Sequence, residues 1–238
     1  MSESPPRPPD DSNDDTGPVG RSPAEVLVIG GGGFIGSHLI DLLVNERVAV
    51  DVVDDLSSGS LANLADARNA SRLTGADLRI HTVDAGSADL GTLISLRRPQ
   101  QIIHLALLTP GRTTPTELGR SFTSMLAAAG HGEPARLTGD GRQTRDFVYV
   151  DDVVDAVMRA RQRGSGLVVN VGTGLQTSLR ELATLVNAGG PQPTFVVARD
   201  DELSRFSVSP VRARIHLGWA PWTSLAEGLA ALASPRPD

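Results

Sequence analysis

The residues with the clearest chemical use lie in VLVIGGGGFIGSH, Val26 to His38. Gly30, Gly33 and Gly36 follow a short apolar run and precede Leu39, Leu42 and Leu43 at helical spacing, which places them in a strand-to-helix turn. Glycine at such a turn lets the backbone bend tightly, lets a pyrophosphate approach the first amides of the helix, and lets helix and strand pack closely. An acid about 20 residues further on, at the end of the next strand, completes a dinucleotide site by accepting hydrogen bonds from a ribose. Asp54 stands there, with Asp55 beside it. A carboxylate in that place repels a 2′-phosphate, so the residues favour NAD over NADP. The alternative is a glycine-rich turn without ligand, with a capping aspartate. Asp84, at the end of the third apolar run, is placed either to meet the adenine amine or to serve as a plain turn residue.

These residues need a scaffold, and the sequence supplies an alternating one. Glu25–Gly30 reads as a strand, Phe34–Glu46 as a helix, Val48–Asp55 and Leu78–Ala85 as two further strands, Ala88–Pro99 as a helix stopped by its proline, and Gln101–Ala106 as a fourth strand. That alternation predicts an α/β fold, a Rossmann-type doubly wound parallel sheet with both faces covered. Beyond Ala106 the rhythm breaks. One helix is expected near Glu117–Ala129, then a turn at Gly139–Gly141, an extended Asp146–Val150, and an amphipathic helix from Asp151 to Gln162. Gly166–Gly174 reads as a strand entering a glycine turn, and Ser178 with Glu181 and Ser224 with Glu227 as capping boxes. The expected division is a dinucleotide-binding part over 25–132 and a C-terminal substrate lobe over 133–238, with a strand at 166–172 returning to the sheet.

Composition bounds the function. The chain has 238 residues, a net charge of -6 and a pI near 5.4, which argues against a nucleic-acid partner. It has no cysteine, so disulfides and thiolate chemistry are absent, and a reducing cytoplasm is expected. Residues 1–24, rich in Pro, Ser and Asp, read as a disordered tail without an apolar run for a signal or membrane span. The five histidines show no metal spacing, and no metal is expected. All basic residues are arginine, with no lysine anywhere, and Tyr149 is the single tyrosine.

The residues resemble those of the extended short-chain dehydrogenases, in particular the NAD-dependent nucleotide-sugar epimerases and dehydratases of the UDP-glucose 4-epimerase type. GGGGFIGSHLIDLL is similar to the family's opening motif, with Ile29 where threonine is usual; VVDDLSSGSLANL is similar to its second-strand segment, and IIHLA to its fourth strand. GDGRQTRDFVYVDDVVDA, Gly139 to Ala156, is long enough to be specific. The resemblance implies NAD contacts from Gly30, Gly33, Phe34, Ile35, Gly36, Asp54, Asp55, Asp84 and Leu105. It also implies that Arg145 and Arg199 grip the diphosphate of a nucleotide sugar, the alternative for each being an ion pair with a neighbouring aspartate. The family's chemistry uses a Tyr-x-x-x-Lys pair, the tyrosine exchanging a proton with the sugar while hydride passes to or from NAD. That pair cannot exist in a chain without lysine. The residues from Leu107 to Thr138 are also too few for the strands and helices that carry it, and a join near Ala127 is expected. Tyr149 lies in a segment that is structural or substrate-side in the family.

Three functions follow as expectations. The first is a homologue that binds NAD and a nucleotide-diphosphate sugar but is non-catalytic or impaired. Another is an active epimerase or dehydratase that uses a non-standard or partner-supplied acid/base. The third is a decayed product with a gap in its sheet. Missing strands leave open edges, which invite pairing with a like or unlike chain.

Overall fold

The computed structural model describes residues 24–106, 115–187, 189–197 and 204–233. Its centre is a parallel four-stranded sheet in the order β3-β2-β1-β4, with β1 Val26–Ile29, β2 Val50–Asp54, β3 Leu78–Thr82 and β4 Gln101–His104. Side chains alternate across a strand, so β1 divides its apolar residues between two faces. Val26 and Val28 join Val50, Val52 and the helices α1 (Phe34–Asn45), α2 (Ala65–Thr74) and α5 (Val150–Ala160), with Leu39, Ile40, Leu43 and Val154 in the same core. Leu27 and Ile29 face α3 (Ala88–Arg97) through Leu90. All nine residues of β1 and β2 are buried, as expected of parallel strands covered on both sides.

The remaining elements are α4 (Pro115–Gly130), β5 (Arg136–Thr138), β6 (Thr144–Arg145), β7 (Thr177–Ser178), α6 (Leu179–Val186), β8 (Thr194–Val196), α7 (Val211–Leu217) and α8 (Leu225–Ala233). β5 pairs in parallel with β8, and β6 antiparallel with β7. A small core of Met125, Leu137, Leu179, Leu182 and Ala183 holds α4, β5 and α6 together. Among the described residues no helix is long and apolar enough to cross a membrane.

One expectation is corrected. Residues 166–172 form no strand and do not return to the sheet. β4 is the last strand on its side among the described residues, so the segment has no neighbouring backbone to pair with, and Val168 is left exposed. Val169 and Val171 instead pack beside Trp219 and Ala213. Ala127, the place expected for the join, lies within α4, which contacts α6 and β5, and a continuous helix there neither supports nor opposes a join. Its Met125 is buried in the small core, which is where the apolar face of this helix finds cover. The tail expected over residues 1–24 lies outside the described residues, apart from Ala24, which is buried.

Candidate functional site

The glycines of the turn after β1 have different reasons to be glycine. Gly30 has φ +80°, and a Cβ there would stand 2.6 Å from the backbone nitrogen of Ala106. A Cβ on Gly36 would collide with the carbonyl oxygen of Gly30. Both are demanded by the close packing of β1, α1 and the end of β4. Gly33 is not: it has φ -76° and ψ 177°, and its Cβ would meet only the Gly30 oxygen, at 3.3 Å. The chain itself leaves room for a side chain at Gly33, in front of the first turn of α1.

That first turn is bare. Gly33 caps α1 without a side-chain hydrogen bond, and the first turn carries no acid. By contrast, Ser178 and Glu181 form a full capping box on α6, and Asp151 and Asp152 sit in the first turn of α5. The opening amides of a helix lack intrahelical acceptors and carry the positive end of its dipole. An uncapped 12-residue helix behind an open glycine is therefore a fitting cradle for a pyrophosphate.

Asp54, at the end of β2, lies against this turn. Its Oδ2 accepts the N–H of Gly32 at 2.8 Å and its Oδ1 that of Leu56 at 2.8 Å. Each carboxylate oxygen retains a second lone pair for a ribose hydroxyl. Residues 55–64, DLSSGSLANL, contain no cation to receive a 2′-phosphate. Asp55 is exposed and accepts the amide and hydroxyl of Ser57, which hold its carboxyl below the usual aspartate range. Asp84 forms a turn, accepting Gly86 N–H at 2.8 Å, so its part as a turn residue is visible. Leu105 is partly buried and donates its N–H to Ile29 at the floor of the turn, whereas Phe34 and Ile35 stand exposed at the start of α1.

Of the second group of expected residues, Arg145 stands at a cavity of about 960 Å³ between α1, the 3-10 turn Leu61–Leu64, α6 and α8. Arg145, only 5% exposed, and Tyr149 both line it. Four of the five phenylalanines, Phe34, Phe122, Phe147 and Phe206, also line it. The walls are thus mostly apolar and aromatic, with a buried guanidinium among them, a composition suited to a ring-bearing phosphate ligand. The ring of Tyr149 lies against Gly228 of α8, where a Cβ would stand 3.0 Å from it. Arg199 lies outside the described residues.

Two acids of the RDFVYVDD stretch turn out to be ties. Asp146 accepts the amides of Thr173, Gly174 and Val208, and the Thr173 hydroxyl. Asp152, fully buried, accepts the amides of Trp222 and Thr223 and the Thr223 hydroxyl, while its carbonyl accepts the indole N–H of Trp219. These carboxylates fix the segment that carries Arg145 and Tyr149 to the C-terminal part of the chain. Among the described residues no group of three or more His, Asp or Glu is placed to hold a metal ion.

The sequence matches two family models, that of the NAD dependent epimerase/dehydratase family over residues 107–172 and that of GDP-mannose 4,6 dehydratase over 27–110. A UDP-glucose 4-epimerase of Mycolicibacterium smegmatis is 30% identical over 304 residues, taking in 86% of this chain and 96% of the relative. The chain belongs to the NAD-dependent epimerase/dehydratase family. NAD is accordingly its cofactor, and the uncapped α1 with the open Gly33 fits that group. Solved members share the fold of this family member. The UDP-glucose 4-epimerase of Thermotoga maritima, solved with UDP-glucose, superposes with a TM-score of 0.72 at 23% identity, over 86% of this chain and 96% of the other. The dTDP-glucose 4,6-dehydratase of Bacillus anthracis, solved with NAD, gives 0.71 at 17% identity, over 87% and 94%.

Proposed function

We propose that this family member is a cytoplasmic protein that binds NAD through Gly30, Gly33, Phe34, Ile35, Gly36, Asp54, Asp55, Asp84 and Leu105. Its second ligand is a nucleotide-diphosphate sugar, and it is non-catalytic or impaired in turnover. The NAD site belongs to the sheet and its helices. The sugar nucleotide belongs to the C-terminal lobe over 133–238, with Arg145 and Arg199 on its diphosphate. Support for the second ligand comes from Arg145 in the wall of the aromatic cavity, and from a structural neighbour solved with UDP-glucose.

One observation carries the catalytic part of the reading: a chain with no lysine cannot form the Tyr-x-x-x-Lys pair. Bound NAD supplies a hydride acceptor and donor. The chain's own residues supply binding: amides of the first turn of α1 for the pyrophosphate, Asp54 for a ribose, and Arg145 for a diphosphate oxygen. Nothing in that set is matched to proton exchange with a sugar hydroxyl at neutral pH, a step commonly worth two to four orders of magnitude in rate.

A second reading, turnover with a non-standard or partner-supplied acid/base, is favoured by Tyr149 lining the same cavity as Arg145. One experiment separates the two. The purified chain is incubated with UDP-sugars, denatured, and its released NAD and NADH are quantified, with sugar epimers followed by NMR. Dinucleotide release without NADH and without any changed sugar supports the binding reading. An epimer or a 4-keto product overturns it in favour of turnover, and a chain that neither retains dinucleotide nor gains thermal stability with NAD overturns both.

A further inference from the structure

The peptide group of Gly32 is held from three directions, and one of the holders is a side chain far along the sequence. Its N–H donates to Asp54 Oδ2 at 2.8 Å. Its carbonyl oxygen accepts the N–H of Ser60 at 3.0 Å and the side-chain Nδ2 of Asn63 at 2.9 Å. Gly59 comes so close that a Cβ on it would stand 2.8 Å from the Gly32 carbonyl carbon. With both lone pairs of this carbonyl engaged, the plane of the Gly32–Gly33 peptide has little freedom. The amides that follow it open α1.

Asn63 is presented by a short, anchored element. Ser60 caps the 3-10 turn, its hydroxyl accepting the Ala62 N–H at 3.2 Å, and Leu64 at the turn's end is fully buried in the core beside α1. Asn63 itself is exposed, so its side chain is not there to fill a core. Its amide crosses from this anchored turn to the glycine turn, and no other side chain bonds the Gly32 carbonyl among the contacts of the described residues.

We propose that Asn63, which also stands at the wall of the aromatic cavity, is a positioning residue for NAD: its side-chain amide is spent on the Gly32 carbonyl, and by fixing that carbonyl it aims the amides at the start of α1 toward the pyrophosphate. The inference rests on the assignment of NAD to the glycine turn. It adds that the turn's geometry is set from outside, by the 59–63 segment, and that Asp54 and Asn63 grip opposite ends of one residue. Loss of Asn63 then weakens ligands that carry the pyrophosphate and spares those that lack it.

The test compares Asn63→Leu and Asn63→Asp with the unaltered full-length chain. NAD affinity is measured by calorimetry and adenosine affinity by NMR titration. Asn63→Leu should weaken NAD roughly 5- to 10-fold, the order of one net hydrogen bond, and Asn63→Asp more, because a carboxylate would face the Gly32 oxygen. Adenosine affinity should stay unchanged in both variants. Unaltered NAD affinity in both variants overturns the proposal. Equal weakening of NAD and adenosine overturns it in favour of a general structural role. A chain whose unaltered form binds no NAD overturns the site assignment beneath it, an outcome distinct from all of these.

Discussion

Arg97, in the last turn of α3, donates through Nε to Oδ2 of Asp51 at 2.6 Å, and the aspartate lies fully buried in the middle of β2. His81 of β3 meets the other oxygen at 3.0 Å. The pair ties α3 to the sheet face that carries Leu27, Ile29 and Val53. A buried ion pair contributes little net stability, but removing one partner strands the other. Arg97→Met leaves Asp51 only His81 and should therefore destabilise the chain, though by less than the roughly 3–5 kcal/mol of a fully stranded charge. The double change Asp51→Val with Arg97→Met should recover most of that loss. Urea unfolding of the single and double variants checks both statements, and equal losses in the two would show that the pair's charge is not the cause.

The contrast between Gly33 and Gly36 gives a second test. Gly36→Ala pushes a Cβ into the Gly30 carbonyl and should lower stability by about 1–3 kcal/mol, as overpacking does. Gly33→Ala meets one oxygen at 3.3 Å in a backbone conformation that alanine accepts. It should leave the melting temperature of the ligand-free chain nearly unchanged while reducing NAD binding, because its methyl group enters the space before α1. Differential scanning fluorimetry with and without NAD reads both effects.

The parallel sheet was legible because its strands are runs such as VLVI and VDVV separated by periodic helices, a local signal. Gly30, Gly36 and Asp54 were legible for a similar reason: their spacing is fixed by strand and turn geometry. Asn63 was not, since its partner is 31 residues away and only the folded turn brings the two together. Asp146 read only as part of an extended run and Asp152 as a residue of the helix after it, yet their bonds reach to Thr173, Val208 and Thr223, which no local pattern encodes. The strand expected at 166–172 failed because a strand needs a neighbour as well as β-branched residues. Alternation in Gly166–Gly174 satisfied only half of that requirement.

Acid should loosen the C-terminal helices first. Glu181 and Glu227 accept hydrogen bonds from Ser178 and Ser224, which hold both carboxyls below their ordinary value of 4.5. A carboxyl with a lowered folded pKa contributes stability above its unfolded pKa and loses it as pH falls through the folded one. Both groups are exposed, so the effect is small. The melting temperature should fall between pH 5 and pH 3 more steeply for the unaltered chain than for the double variant Glu181→Gln, Glu227→Gln. Parallel curves for the two would remove the capping boxes from the acid response.

Asp54 sets the last prediction, because one carboxylate serves both the fold of the turn and the choice of cofactor. Asp54→Asn keeps an oxygen for one of the two amides but turns an NH2 group toward the other, so either Gly32 or Leu56 loses its acceptor. Hydrogen bonds to a charged group are worth about 1.5–3 kcal/mol, so NAD affinity should fall by roughly ten-fold or more. The substitution removes the repulsion toward a 2′-phosphate without supplying a cation, since residues 55–64 contain none. NADP binding should therefore remain weak in Asp54→Asn, and should improve only when an arginine is added at Ser57 or Ser58. Calorimetry with both dinucleotides decides the point: strong NADP binding by Asp54→Asn alone would mean that charge repulsion by this carboxylate is the whole of the discrimination.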